Sequence, residues 1–464
     1  MGKINLIVMK FGGTSLESAE ALNRVAEIVK TRRAEAPFVI VSAMGKTTNN
    51  LLAIGRDAAE GRMAEARANL ARLREYHLRE AAGAIGAGGR AALDEILQTH
   101  FCEMDRLLER IAATRRLEPR EFDELASFGE RLSSQIVTMV LRRAELPAQH
   151  LDARSLIVTD ERYTRATPLV DEIRVRLNEA ARQLSHRVPV MGGYIGATED
   201  GITTTLGRGG SDFTAAIVGA ALGASEIQIW TDVDGMLTAD PRDVPDAHRI
   251  RMLSFAEAAE LAYFGAKVLH PATLLPAMDE NIPVRVLNSR RPSGTGTRIT
   301  ADPVPCTNAI KSVACKRGIT VVDIRSTRML MAHGFLRNIF AVFDAYETPV
   351  DMLATSEVSV SLTIDDARRL EEICKEVSPY AEVSAENGQA IVCVVGDNLR
   401  STPKIAARVF SAVGDINVRM ISQGASRLNV SFVVAEAESR RAVQLLHKEF
   451  FKELDPAVFD AGAN

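Results

Sequence analysis

Three stretches of the chain combine glycines with charged or hydroxyl side chains at spacings suited to handling an anion. The first, Lys10-Phe11-Gly12-Gly13-Thr14-Ser15, stands where an apolar run gives way to a helical one. Adjacent glycines let backbone N–H groups approach a phosphate, a helix start favours negative charge, and Lys10 adds a full positive charge. The plain alternative is an ordinary strand-to-helix turn. The second, Ser42-Ala-Met-Gly-Lys-Thr-Thr-Asn49, suggests a P-loop because Gly45-Lys46-Thr47 follows an apolar run. The spacing fails, since Ile40 stands where that motif needs its first glycine. What is left is a loop of Ser42, Thr47, Thr48 and Asn49, able to bond a small polar substrate or simply to cap a helix. In the third, Thr203–Phe213, Gly207, Gly209 and Gly210 expose backbone donors and Arg208 offers a planar fork for a carboxylate or phosphate. Ser211 and Asp212 fall at the following helix start, where Asp212 is a potential N-cap. An arginine set among three glycines favours the functional reading.

Other positions say less by themselves. Glu130, in Ser127-Phe-Gly-Glu130, is a lone glutamate in a helical stretch and reads as a solvated residue. The block Trp230–Arg242 brings Thr231, Asp232, Asp240 and Arg242 into a turn after an apolar run, either a nucleotide edge or a polar loop. Lys267 reads as a surface lysine, and His270 before Pro271 is given no role.

These residues need a scaffold, and the hydrophobic patterning supplies one. Short apolar runs at 4–9 and 37–42 flank a helical pattern over 18–33, a β-α-β unit. From 51 to 143 the chain is rich in Ala, Leu, Arg and Glu, interrupted at Gly83–Gly89, and predicts helices. Buried-strand patterns return at 188–191, 227–231 and 284–286, with a helix over 211–222. The first 300 residues therefore read as one α/β domain with a mostly parallel sheet. The polar stretch 288–297 closes it. Beyond lies an internal repeat of about 75 residues, in which a helix ending Phe340–Phe343 leads to Val350–Leu353, and one ending Val409–Phe410 leads to Val418–Ile421. Each copy reads as a small α+β module.

Composition narrows the function classes. At 464 residues and 46% apolar, the chain is long enough for two or three domains. Its 56 basic against 60 acidic residues leave no basic field for nucleic acid. Five scattered cysteines without CxxC spacing argue against a disulfide framework or zinc site, and no apolar window is long enough for a membrane span. The expected setting is the cytoplasm.

In order and spacing, Lys10–Ser15, Ser42–Asn49, Ser127–Glu130, Thr203–Phe213, Trp230–Arg242 and Phe264–Ala272 resemble the aspartate kinases of the amino acid kinase family. The resemblance implies the amino acid kinase fold over 1–300, a mostly parallel sheet sandwiched by helices. It implies a regulatory region over 301–464 with two ferredoxin-like ACT modules, about 318–390 and 391–464, the second completed by a strand from about 305–317. Lys10 and Lys267 would neutralise phosphoryl oxygens, with Asp212 the third catalytic residue. Glu130, Arg208, Ser211, Thr48 and Ser42 would hold aspartate. Gly12, Gly13, Ser15, Thr231, Asp232, Asp240 and Arg242 would serve ATP beside Lys10 and Lys267, although Leu237 stands where many relatives carry an aromatic residue. Mg²⁺ would arrive with ATP, without a metal site of the protein's own. Met329, Gly334, Phe335, Leu336, Val350, Asp351, Thr355, Ser356 and Glu357 match the effector site of lysine-sensitive members. The second copy carries Arg419 in place of Asp351, implying one sensing site per chain. Met331 and His333 depart from the pattern, so threonine stays open as an effector beside lysine. A homodimer or higher homo-oligomer through the ACT modules is implied. The rivals are a sister kinase for glutamate, acetylglutamate or a nucleoside monophosphate, and a catalytically silent amino-acid sensor.

Overall fold

The apolar runs flanking the first helical stretch become strands β1 (Ile7–Phe11) and β2 (Pro37–Val41), buried at all ten positions as parallel strands covered on both faces must be. The computed structural model describes residues 6–184, 186–265, 271–326 and 334–460. They fall into two units. One takes in the chain to Met236, Arg251–Phe255 and the stretch ending at Asp302; the other takes in Leu237–Ile250, the segment from Ala256 and the chain from Pro303.

In the first unit β1 and β2 join β3 (Ala148–Leu151), β4 (Val188–Gly192), β7 (Glu226–Thr231), β8 (Met252–Ser254), β9 (Val284–Asn288) and β10 (Thr297–Thr300). β5 (Ile195–Ala197) and β6 (Thr203–Thr205) form a separate antiparallel ribbon. The eight-stranded sheet runs β3-β4-β2-β1-β7-β9-β10-β8, parallel except where β10 meets β9. β1 lies between β2 and β7, with Lys10 in register with Ile40 and Ile229. Helices α1 (Ala19–Thr31), α2 (Thr47–Ala59), α3 (Met63–Ile85), α4 (Arg90–Thr114) and α5 (Pro119–Arg143) contribute to one core with the sheet, including Phe11, Val25, Leu51, Leu108 and Phe128. The break expected near Gly83–Gly89 falls between α3 and α4, where Gly86 takes φ +75. A capping box between Glu118 and Glu121, with Pro119 at the first position, starts α5. α6 (Ala153–Leu156), α7 (Val170–Gln183), α8 (Gly210–Leu222) and α10 (Leu275–Asp279) complete this unit, and α9 (Phe255–Tyr263) belongs, after its first residue, to the other.

The second unit is built on one six-stranded antiparallel sheet, β12-β13-β11-β14-β16-β15. Its central strands β11 (Ser312–Arg325) and β14 (Glu382–Val395) pair along most of their fourteen residues, with a register shift around Gly318. β12 (Leu353–Thr355) and β13 (Ser359–Ile364) lie on one side, β15 (Met420–Gln423) and β16 (Asn429–Ala435) on the other. The repeat seen in the sequence is thus two half-sheets fused through their central strands, which removes one exposed edge from each. The equivalence shows in the hydrogen bonding, where Asp351 N–H donates to Thr363 O and Arg419 N–H to Val433 O. Helices α11 (Phe335–Ala345), α12 (Leu370–Val377), α13 (Ile405–Ala412) and α14 (Glu436–Phe450) follow the strands in chain order. Residues from the middle of the chain are held here by non-local partners. Val313 N–H donates to Thr238 O, and Lys311 pairs at 2.8 Å with Glu257, neither side chain exposed. Among the described residues no helix is long and apolar enough to cross a membrane.

Candidate active site

Lys10, next to last in β1, directs its ammonium to Asp212, Nζ to Oδ1 2.6 Å, with the two side chains 11% and 12% exposed. Asp212 is the third residue of α8, and the N-cap is Gly209 in the left-handed region at φ +72, so no side chain caps the helix. Asp212 is therefore not the N-cap its sequence position allows; its carboxylate faces Lys10, and the first-turn N–H groups of α8 keep their affinity for an anion. α2 likewise begins after Lys46 with no side-chain cap. The first turns of both helices line one cleft of about 520 Å³. Lys10, Ser42, Thr48, Asn49, Glu130, Arg208, Ser211 and Asp212 all face it, joined by Leu52, Phe122, Thr164 and Tyr194.

Glu130 corrects the reading of a solvated helix residue: it is 3% exposed. Its Oε1 accepts from Ala43 N–H at 3.0 Å, while Oε2 is buried with no hydrogen-bond partner among the described residues. Burial pushes its carboxyl up to about 8, against the opposing pull of the Ala43 N–H and the Lys10 charge. Its neighbour Gly129 makes this approach possible, because a Cβ there would lie 2.6 Å from the Ala43 side chain. A buried carboxyl with one free oxygen beside an arginine and a lysine suits a small zwitterion, whose ammonium and carboxylate need opposite partners.

Asp123 is a residue that sequence reasoning missed. It is buried on α5, where Oδ2 accepts from Thr164 N–H and Thr205 N–H, each at 2.9 Å, and Oδ1 accepts from the Thr205 hydroxyl at 2.6 Å. Burial raises its carboxyl while those three bonds oppose the shift. It fastens the Thr164 wall of the cleft to β6. Asp123, Ser127 and Glu130 stand at i, i+4 and i+7, one face of α5, and that polar stripe on a buried helix is the signal that could have revealed them. Tyr194, at φ +65 just after β4, has its hydroxyl raised to about 12 by burial.

The remaining expected residues are placed differently. Gly12 N–H donates to Trp230 O at 3.0 Å, so it serves the sheet and not a free anion cradle. Gly13 packs against the carbonyls of Gly45 and Ala43, within 2.9 Å of where a Cβ would stand. The Ser15 hydroxyl donates to Ser289 Oγ at 2.8 Å, which in turn donates to Thr231 O. Thr231, at the end of β7, donates to Asp232 Oδ1 at 3.2 Å. Asp240 and Arg242 pair with each other in the second unit, and Lys267 lies outside the described residues.

The chain matches the model of the amino acid kinase family over residues 5–288 and that of an ACT domain over 392–450. It is 40% identical to aspartokinase 1, chloroplastic, of Arabidopsis thaliana across 97% of this chain and 80% of that one. The chain belongs to the aspartokinases of the amino acid kinase family. Lysine-sensitive aspartokinase 3 of Escherichia coli is 37% identical over 96% of this chain and 99% of its own length. The crystal structure of E. coli aspartokinase III in complex with aspartate and ADP superposes with a TM-score of 0.83 at 36% identity, covering 96% of this chain and all of that one. As an aspartokinase, the enzyme uses ATP to phosphorylate the side-chain carboxylate of L-aspartate.

The effector residues inferred for this aspartokinase lie in the second unit. Gly334, at φ +83, is the N-cap of α11, with Phe335 and Leu336 in its first turn. Val350 and Asp351 precede β12, and Thr355, Ser356 and Glu357 end β12 and begin its turn to β13. Met329, Met331 and His333 lie outside the described residues. The Asp351 side chain is 4% exposed, and its Oδ1 receives Lys316 Nζ at 2.7 Å and Tyr263 Oη at 2.9 Å. Its counterpart Arg419 pairs with Asp323 at 2.6 Å and Glu386 at 3.4 Å.

Proposed function

We propose that this enzyme binds aspartate in the Lys10–Asp212 cleft, with Arg208, Ser211 and Thr48 taking its carboxylates and Glu130 its ammonium, while Ser42 and Asp212 organise the surroundings. The observation that carries this is the buried Glu130 Oε2, without a hydrogen-bond partner among the described residues, in a cleft that also holds Arg208 and the uncapped first turn of α8. The acceptor carboxylate is already ionised near neutral pH, so no general base is required. The task is to bring two anions together. Lys10, the N–H groups of α8 and, in the same reading, Lys267 offset that repulsion. Thr231 and Asp232, at the end of β7, serve the nucleotide, with Gly12, Gly13 and Ser15 holding the β1 turn beside Lys10; Asp240 and Arg242 are assigned to it by the family resemblance alone. Mg²⁺ would come as a companion of the ATP phosphates: of the two carboxylates among the described lining residues Asp212 is paired with Lys10 and Glu130 is assigned to the ammonium, so phosphate oxygens and water would be its ligands. When bound it supplies charge neutralisation.

The regulatory assignment belongs to the same proposal. The catalytic domain is residues 1–300, and 301–464 carry two ACT modules whose first copy senses lysine through Asp351 and its neighbours. Pairing of regulatory units in a homodimer belongs to the same reading and follows from the family resemblance. Five free cysteines agree with a reducing cytoplasm. The test is hydroxylamine trapping of the acyl phosphate with Mg-ATP and L-aspartate, with and without lysine or threonine. Aspartate-dependent hydroxamate suppressed by lysine is expected. Hydroxamate insensitive to both amino acids would remove the sensing claim, and product only with glutamate would overturn the substrate assignment.

A further inference from the structure

The acid assigned to effector recognition already holds an ammonium. Lys316, on β11, places Nζ 2.7 Å from Asp351 Oδ1 and 2.8 Å from Asp365 Oδ2, so the same nitrogen touches one deeply buried carboxylate and one that is 40% exposed. Tyr263, the last residue of α9, donates to that same Asp351 oxygen and lays its ring 5.2 Å from Lys316 Nζ. Asp351 Oδ2 is buried without a hydrogen-bond partner among the described residues, so the carboxylate is only half satisfied. The second copy differs: Arg419 is 41% exposed and meets two carboxylates from the central strands.

We propose that Lys316 is an internal stand-in for the effector's ammonium, and that an amino-acid effector inhibits by taking Asp351 from Lys316 and Tyr263. The inference rests on the effector reading given above and supplies its mechanism. Asp365 makes the exchange feasible, because a displaced Lys316 keeps an anion on the solvent side and leaves no stranded charge. The Tyr263 hydroxyl loses the Asp351 oxygen that is its acceptor among the described residues. That loss acts two residues before a close approach to β11, since a Cβ at Gly265, in the turn after α9, would lie 2.4 Å from the Cys315 carbonyl oxygen. Lys267, assigned to the phosphoryl group, follows Tyr263 by four residues in the chain. Tyr263 is thus a positioning residue, and the effector signal is the release of its hydroxyl.

The test is calorimetric titration of the full-length enzyme with L-lysine, alongside inhibition curves. A competitor occupying the site lowers apparent affinity by the fraction of molecules it blocks, so K316M should bind lysine roughly tenfold more tightly. D365N removes the fallback anion from an exposed position and should weaken lysine binding roughly threefold. Y263F should bind lysine more tightly than the wild type, though less so than K316M because a neutral hydroxyl is the weaker competitor, with a lower uninhibited rate and a smaller further loss on adding lysine. Unchanged or weaker binding by a folded K316M overturns the proposal while leaving the effector reading in place, and unchanged binding by D365N does so should K316M not fold. Wild type and K316M both silent toward lysine would overturn the effector reading together with the mechanism.

Discussion

Glu130 joins a burial-driven shift to a substrate contact, and the sign of its pH effect follows. Its carboxyl titrates near 8 rather than its ordinary value of 4.5, so at neutral pH the empty cleft holds a neutral acid. An incoming ammonium needs the ionised form, and binding must expel that proton. The KM for aspartate should therefore fall roughly tenfold per pH unit as pH rises toward about 8, then level off. Glu130→Gln should raise KM by roughly 100-fold and flatten that dependence, as steady-state kinetics from pH 6 to 9 would show. The stability linkage has the opposite sense. The folded state holds a proton that the unfolded chain has released, so stability is present below about 4.5, falls as pH rises through about 8, and is constant above; thermal unfolding of Glu130→Gln should lack this component. Lys10→Met leaves Asp212 without its partner and the phosphoryl oxygens without a fixed cation. It should lower kcat by about 10²–10³ in the hydroxamate assay, and retention of half the activity would remove Lys10 from the chemistry. Lys10, Arg208 and Asp212 were legible in the sequence because glycines beside helix starts mark anion sites locally. Glu130 was legible only through the family resemblance and not from its own surroundings in the chain, because its burial is made by Ala43 and Gly192, which are remote in the chain.

Between elements, the cleft depends on close approaches that leave no room for a side chain. Gly193, just past β4, sits where a Cβ would stand 2.8 Å from the Ser211 Cα, so β4 and the start of α8 meet backbone to backbone. Gly193→Ala must push the α8 terminus away from Lys10 and the substrate. We expect kcat/KM for aspartate to drop by roughly 100-fold, a displacement of about 1 Å in a positioned group being enough for that. The overpacking should also lower stability by about 1–3 kcal/mol, read as a lower unfolding temperature. A variant with wild-type kcat/KM would show that α8 does not position the substrate. The helices over 51–143 and the parallel strands were legible because their periods are local properties of the chain. The N-cap of α8 was not: Ser211 and Asp212 have capping chemistry, yet Gly209 takes that place because only a residue tolerant of φ +72 can turn the chain there.

For the whole molecule, the repeat was visible as two similar stretches, whereas their fusion through β11 and β14 was not, since strand pairing between copies leaves no mark on the period of either. Nor does linear order show that Glu257 and Thr238 pack with the strand near residue 311, as their partners lie more than fifty residues away. The Lys311–Glu257 pair makes that grouping testable. Both side chains are 0% exposed, and the two ions are removed from water to face each other at 2.8 Å, an arrangement whose attraction little more than offsets its desolvation. Removing Lys311 takes its cation from a glutamate that stays buried. Lys311→Met should therefore destabilise the second unit by about 3–5 kcal/mol, whereas the double replacement Lys311→Met with Glu257→Leu should recover most of that loss. A thermodynamic cycle on the four proteins, followed by urea unfolding, measures the coupling. If the single and double variants lose equal stability, the lysine contributes through packing alone, and the ionic tie between α9 and the residue preceding β11 is not what holds this segment in the second unit.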